Sequence, residues 1–268
     1  MKNQTKKIFN KVASLALAAV MALSVICVAV PTEVSAATLS FKSTGKSSVT
    51  ITDEQCYVMT GQPTWIKFTA KNDGYLKITA TNASTYYAGS YVYGKWQLFD
   101  KKKTTAVSPV MNYNTNATED LYYSDYYGVK KGTTYYLQVL ADGGVKLNAT
   151  FTKVTDKSGA KKTKALNIKN KKSATGLIRV GDKNSDWYKI NLTSAKKLNI
   201  ILTPYTNDLL FITLSGPGVY TKTFKVGSAS QGQKNPFTTT GKVKAGTYYI
   251  QVKPATKTCS GYYKLTWK

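Results

Sequence analysis

From about residue 39 onward, apolar and polar residues alternate in short runs: Trp65-x-Lys-Phe68-Thr, Leu76-x-Ile78-x-Ala80, Tyr136-x-Gln-Val139 and Leu210-x-Ile212-x-Leu214. A period of two sends successive side chains to opposite faces, so each run is predicted to be a strand with one buried face. Turn residues break the runs at Asn72-Asp73-Gly74, Asp142-Gly143-Gly144, Ser215-Gly216-Pro217-Gly218 and Lys244-Ala-Gly246. No stretch after Ala37 keeps a helical period. Short strands at regular intervals predict an all-β chain built as β-sandwiches.

The runs occur twice. Val129-Lys-Lys-Gly132-Thr-Thr-Tyr135-Tyr136-Leu-Gln-Val139 returns as Val243-Lys-Ala-Gly246-Thr-Tyr248-Tyr249-Ile-Gln-Val252, and Trp65-Ile-Lys-Phe68 as Trp187-Tyr-Lys-Ile190. Leu76-Lys-Ile78 and Leu198-Asn-Ile200 follow their tryptophans at the same spacing, and each half closes on one more alternating run, Val145 to Phe151 and Tyr262 to Trp267. Self-similarity of this kind predicts two tandem β-sandwich domains, residues 37–155 and 156–268. One tyrosine of each pair must face inward on its strand. Gly132 and Gly246 are expected in turns with positive φ, and Trp65 and Trp187 are expected to anchor the two cores.

Residues 1–36 belong to neither half. Lys2, Lys6, Lys7 and Lys11 precede an apolar stretch from Val12 to Val30, and Val34-Ser35-Ala36 stands before Ala37 as a small-residue cleavage site. This predicts a cleaved signal peptide and a secreted chain without a transmembrane span. Pro31 and the Val-Ser-Ala site speak against an uncleaved anchor, and the bulky Ile26 before Cys27 against lipid modification. No apolar tail or sorting motif follows Trp267.

Composition narrows the chemistry. The 268 residues include no histidine, which removes Ser-His-Asp and Cys-His nucleophiles, histidine metal clusters and histidine general bases. No other catalytic constellation is recognisable, so the chain is not expected to be an enzyme. Aromatic residues make up 12%, with 20 tyrosines, as in a folded protein. The formal net charge is +25. It is uneven, because residues 156–268 carry 20 Lys and Arg179 against four Asp, net +17, whereas residues 37–155 carry 13 Lys against eight acids, net +5.

Asp186-Trp187-Tyr188-Lys189-Ile190, Ile212-x-Leu214 and Ala245-Gly246-Thr247-Tyr248-Tyr249-Ile250-Gln251-Val252 occur in the order of the bacterial pre-peptidase C-terminal domain, which the second half resembles over about residues 160–268. The first half resembles it more loosely through Trp65, Leu98-Phe99-Asp100 and Gly132-Thr-Thr-Tyr135-Tyr136. It has Pro63-Thr64 where the acidic residue would precede Trp65, and one extra Thr. The resemblance implies jelly-roll-like sandwiches of the kind that accompany exported enzymes as substrate- or surface-binding accessories. It also implies calcium near the start of such domains, for which Asp182, Asn184 and Asp186 offer oxygens, although calcium takes six to eight. No other cofactor is expected.

Tyrosines that do not repeat stand out against this frame. The first half has Tyr86, Tyr87, Tyr91, Tyr93 and Trp96 among Ser, Gly and Ala, and Tyr122, Tyr123, Tyr126 and Tyr127 further on. Tyrosine among small polar residues suits recognition, because a rigid amphipathic ring gives contact area at low entropy cost. These nine are the candidate ligand-binding residues, with a Tyr-rich sandwich covering its own core as the plainer alternative. Lys161, Lys162, Lys164, Lys169, Lys171 and Lys172 form the densest basic run and are candidates for an anionic polymer, with a solvated linker as the alternative. A single arginine makes nucleic acid an unfavoured partner. Cys56 and Cys259 fall one in each half, and either a bridge between the halves or two buried thiols fits them.

The resulting expectation is a secreted, non-catalytic binding protein for a glycan or an anionic cell-wall polymer, retained at the cell surface or released, with a protein partner also compatible. A structural or adhesive envelope protein is the alternative, and an extracellular hydrolase or its accessory a more distant one.

Overall fold

The computed structural model describes residues 39–56, 63–84, 91–116 and 123–268, so the expected signal peptide lies outside the described residues. Among the described residues the first half contains nine strands: β1 (Leu39–Ser40), β2 (Gly45–Ile51), β3 (Thr64–Thr69), β4 (Gly74–Asn82), β5 (Tyr91–Phe99), β6 (Met111–Asn116), β7 (Tyr123–Val129), β8 (Thr134–Ala141) and β9 (Val145–Lys153). The second contains β10 (Leu166–Asn167), β11 (Ser173–Ile178), β12 (Asp186–Leu192), β13 (Asn199–Thr206), β14 (Leu210–Gly216), β15 (Val219–Val226), β16 (Asn235–Thr238), β17 (Gly246–Pro254) and β18 (Gly261–Trp267).

The repeat in the sequence is a repeat in topology. The first half has a five-stranded sheet ordered β1-β3-β8-β5-β6 and a four-stranded sheet ordered β2-β9-β4-β7. The second has β10-β12-β17-β14-β15 and β11-β18-β13-β16, the same orders with every number raised by nine. The register agrees as well, since Trp65 stands opposite Gln138 and Trp187 opposite Gln251. In each five-stranded sheet the two-residue first strand is parallel to its neighbour, whereas the other pairings are antiparallel. Gly132, in the turn before β8, and Gly246, the first residue of β17, hold φ of 75° and 146°, backbone that a side chain would strain.

Each pair of sheets closes on its own apolar core. Ile66, Phe68, Leu98 and Leu137 of one sheet meet Ile51, Leu76, Ile78 and Leu147 of the other in the first half. Tyr188, Ile190, Ile212 and Ile250 meet Ile200, Leu202, Tyr263 and Leu265 in the second. Burying each large apolar side chain contributes about 1.5–3 kcal/mol, which makes the alternation the main determinant of the fold. The expectation for the tryptophans needs correction. Trp65 and Trp187 are half-buried and point outward, and the residues after them, Ile66 and Tyr188, face the core. Trp65 shares strand parity with Lys67, and that parity sends both to the outer face.

The outer faces of the two four-stranded sheets meet each other. Tyr75 and Tyr126, on β4 and β7, pack with Tyr205 and Tyr262, on β13 and β18: Tyr262 stacks on Tyr75 with ring centroids 4.1 Å apart and on Tyr205 at 4.5 Å, and Tyr126 meets both partners edge-on. Such pairs contribute about 0.5–1.5 kcal/mol each beyond area burial. The backbone joins in, with Val180 N–H donating to the Gly128 carbonyl at 2.8 Å, and a Cβ at Gly128 would run into the Ile178 carbonyl. Arg179 completes the contact by pairing with Asp73 and Asp182, each at 3.0 Å.

The basic stretch between the halves is not a free linker. Gly159 and Trp187 exchange both backbone hydrogen bonds, the Asp156 carboxylate accepts from Leu177 N–H at 3.0 Å, and Ala165 is buried. Because each core draws its strands from one half only, fragments 37–155 and 156–268 are each expected to unfold cooperatively when produced alone. Neither fragment showing a sigmoidal urea transition would defeat the two-domain reading.

Candidate functional site

The nine aromatic candidates separate into distinct environments. Tyr86, Tyr87 and Tyr122 lie outside the described residues, and Tyr123 opens β7 with a side chain that is likewise outside them. Trp96 is 1% exposed and Tyr127 fully buried, so neither offers a ring to a ligand, contrary to expectation. The Trp96 indole N–H donates to the Tyr127 hydroxyl at 2.7 Å inside the first core. Tyr126 belongs to the contact between the halves. Tyr91 and Tyr93, 42% and 56% exposed, are on the surface as expected.

Alternation along β5 sends Val92, Trp96 and Leu98 inward and Tyr91, Tyr93, Lys95, Gln97 and Phe99 outward. Outward too are Tyr136 and Gln138 of β8, and Trp65 of β3. Register lines them up across the sheet: Trp65 faces Gln138, which faces Gln97, and Tyr136 faces Phe99. On the other side of β5, Asn114 and Asn112 stand opposite Tyr93 and Lys95. The outer face of the five-stranded sheet is therefore a row of rings and carboxamides, with two exposed tyrosines at one end. Tyr91 and Tyr93 lie with ring centroids 6.2 Å apart.

The other end is fixed by local chemistry. One Asp100 carboxylate oxygen accepts from the backbone N–H of Lys102, Thr104 and Thr105, and this turn holds Lys103 at φ 60°. The Lys103 ammonium then sits 5.2 Å from the Trp65 ring centroid and 4.7 Å from that of Tyr136, within cation–π range. Trp65 meets Phe99 edge-on at 5.3 Å. Trp65, Phe99 and Tyr136 were not among the candidates drawn from the sequence, although their parity with Lys67, Gln97 and Gln138 placed them on this face.

The second half repeats the face with a different surface. Trp187, Tyr249 and Gln251 occupy the places of Trp65, Tyr136 and Gln138, but Thr213 and Ser215 replace Gln97 and Phe99. Lys162 lies over the Tyr249 ring at 4.7 Å, and Lys225 over Phe211 at 5.9 Å. All six candidate lysines, Lys161, Lys162, Lys164, Lys169, Lys171 and Lys172, are exposed, and they flank the short strand β10 on both sides.

Asp182, Asn184 and Asp186 line a polar cavity of about 350 Å³ whose other wall includes Asn72, Asp73, Lys131 and Lys153 of the first half. The two carboxylates are engaged with the protein. Asp182 accepts from Arg179 through backbone and guanidinium at 3.0 Å, and Asp186 accepts from the hydroxyls of Ser158 at 2.8 Å and Tyr263 at 2.6 Å. Among the described residues no group of three or more Asp, Glu or Cys side chains converges as metal ligands. Burial, with the nearby Asp156 charge, pushes the Asp186 carboxyl up to about 7. Burial pushes Asp125 up to about 6, where Gln231 of the second half reaches it at 3.4 Å. Cys259 is a free thiol, pushed up to about 12 by burial and therefore unreactive. The side chain of Cys56 is outside the described set.

No family model matches the chain, and no curated protein matches it. Among solved structures it is similar to the pre-peptidase C-terminal domain of collagenase from Bacillus anthracis, at 21% identity over 38% of this chain and 93% of that one, with a TM-score of 0.31. It is similar to the N-terminal CBM22-1-CBM22-2 tandem domain of Xyn10C from Paenibacillus barcinonensis, at 8% identity over 75% and 80% of the two chains, TM-score 0.28. A third is the M60 catalytic domain with CBM51-1 and CBM51-2 domains of ZmpB from Clostridium perfringens, at 8% identity over 77% of this chain and 33% of that one, TM-score 0.23. Likeness this distant transfers no function. Among the described residues no helix is long and apolar enough to cross a membrane.

Proposed function

We propose that the chain is a secreted, non-catalytic binding protein that holds a glycan on the outer face of its first five-stranded sheet. The observation that supports this is the exposure of Tyr91 and Tyr93 at the end of a row of rings and carboxamides. Sugar rings present C–H faces to aromatic rings and hydroxyls to amides, and Tyr with Asn and Gln supplies both. The six exposed lysines of the second half add a salt-sensitive attachment to an anionic envelope polymer. The absence of histidine removes the commonest bases and nucleophiles, which supports binding over turnover.

Affinity electrophoresis through gels containing soluble polysaccharides tests the reading. Wild-type protein is expected to be retarded by at least one glycan, and Tyr93→Ala to weaken the retardation about tenfold. If stacking on sugar resembles stacking on a nucleobase, it contributes about 1–3 kcal/mol per ring, and about 1.4 kcal/mol is a factor of ten. Equal retardation of both proteins would remove this face as the site.

A further inference from the structure

The two halves differ at one edge of the sandwich. In the first half β7 runs unbroken from Tyr123 to Val129, pairing Gly74 with Val129 and Leu76 with Tyr127, whose ring fills the space between the sheets. The second half keeps the first of these pairings as a bridge between Lys196 and Val243. Its strand β16, however, ends at Thr238, and Leu198 meets Thr239 instead of a tyrosine. The chain from Thr239 to Lys242 bows outward, with the Thr239 hydroxyl donating to the Gly241 carbonyl at 2.9 Å. A cavity of about 330 Å³ opens where the large side chain is missing.

Its lining is apolar inside and basic at the edge. Phe224 and Phe237, with ring centroids 4.6 Å apart, face each other across the two sheets, and Leu214, Val219 and Val243 complete the inner wall. Lys222, exposed on β15 with the strand parity of Phe224 and opposite Leu214, holds its ammonium 5.1 Å from the Phe224 ring centroid. Lys242 stands on the bowed segment, and no acidic residue lines the cavity. A ligand that fits must bring an apolar group for the phenylalanines and a negative charge for the lysines. A volume of this size is that of a small-molecule site.

We propose that this cavity binds an amphiphilic anion, an alkyl chain lying against Phe224 and Phe237 with its carboxylate held by Lys222 and Lys242. It is a site separate from the sheet face of the first half, and occupancy of one does not require the other. Titration calorimetry of the chain from Ala37 onward with decanoate, kept below the concentration at which it aggregates, reads the binding directly. A single saturable site is expected, at least tenfold weaker for decyltrimethylammonium and for the double variant Lys222→Glu/Lys242→Glu. Thr240→Trp, which places a large ring at the rim, should abolish binding with Tm unchanged. If that variant lowers Tm, the lysine pair decides. Tyr91→Ala/Tyr93→Ala should bind decanoate as wild type does, which separates this site from the glycan reading. No saturable decanoate binding, equal affinity for the cationic amphiphile, or wild-type binding by a folded Thr240→Trp protein would overturn the proposal.

Discussion

Replacing Trp96 by Ala is expected to destabilise the protein by about 3–5 kcal/mol, the range for removing a large aromatic side chain from a packed core. Trp96 is 1% exposed, lies with its ring centroid 4.9 Å from that of Tyr113, and gives its indole proton to Tyr127. The substitution leaves a cavity and takes a donor from a buried hydroxyl. Tyr93→Ala, on the same strand and three residues earlier, removes a ring that is 56% exposed and is expected to cost about 0.5 kcal/mol or less. Urea unfolding of the two variants side by side checks this. Similar small losses for both would mean that Trp96 is not a core residue. A binding defect in Trp96→Ala would then follow from lost stability and would say nothing of ligand contact.

Raising the pH from 5 to 8 is expected to lower the melting temperature by about 10 °C. The carboxyl of Asp186 titrates near 7 and that of Asp125 near 6 in the folded chain, against about 3.9 in an unfolded one. With folded values raised, the native state binds more protons through this range. The stability they confer is therefore complete below about pH 4 and is lost as pH rises through 6 and 7. Each unit of difference is about 1.4 kcal/mol, so the loss is on the order of several kcal/mol, and about 2–4 °C accompanies each kcal/mol for a chain of this size. Asp156 and Asp182 lie near Asp186 and strengthen the effect, whereas the hydroxyls of Ser158 and Tyr263 temper it. Asp186→Asn keeps the shape and removes the charge, so its melting temperature should fall less over the same range. A melting temperature that is flat or rises between pH 5 and 8 would show that neither carboxyl is held protonated.

The architecture was legible because strand parity is a local property. Leu76-x-Ile78-x-Ala80 and its counterparts mark the buried face without reference to any partner, and the repeat identified which strands correspond. The same parity, carried through β5 from Tyr91, assigns Trp96 to the core with Val92 and Leu98. Reading Trp96 as one member of an aromatic cluster set composition above alternation, whereas Trp65 and Trp187 were assigned to the cores from their equivalent places in the repeat without following the parity of their own strands. Other features depend on contacts that no window of sequence contains. Tyr126 is covered by Tyr205 and Tyr262, about 80 and 136 residues later in the chain, and Asp125 is reached by Gln231 across the same boundary. Nothing near residue 125 announces either contact. The lysine run was legible as exposed charge, but the backbone beneath it was not, because Gly159 and Asp156 find their partners on β12 and β11.

Ring stacking does not depend on salt, whereas attachment through lysines weakens as the Debye length shrinks to about 3 Å at 1 M. This difference separates the two modes of binding proposed for the halves. The most direct test of the central claim is a depletion isotherm of the protein on insoluble cell-wall polysaccharide, run at 0.1 M and 1 M NaCl for wild type and for Tyr91→Ala/Tyr93→Ala. Wild type is expected to keep most of its binding at 1 M, and the double variant to lose at least tenfold in affinity at that salt while melting at the wild-type temperature. Binding that vanishes for wild type at 1 M NaCl, or that the double variant retains in full, would contradict recognition by the aromatic face.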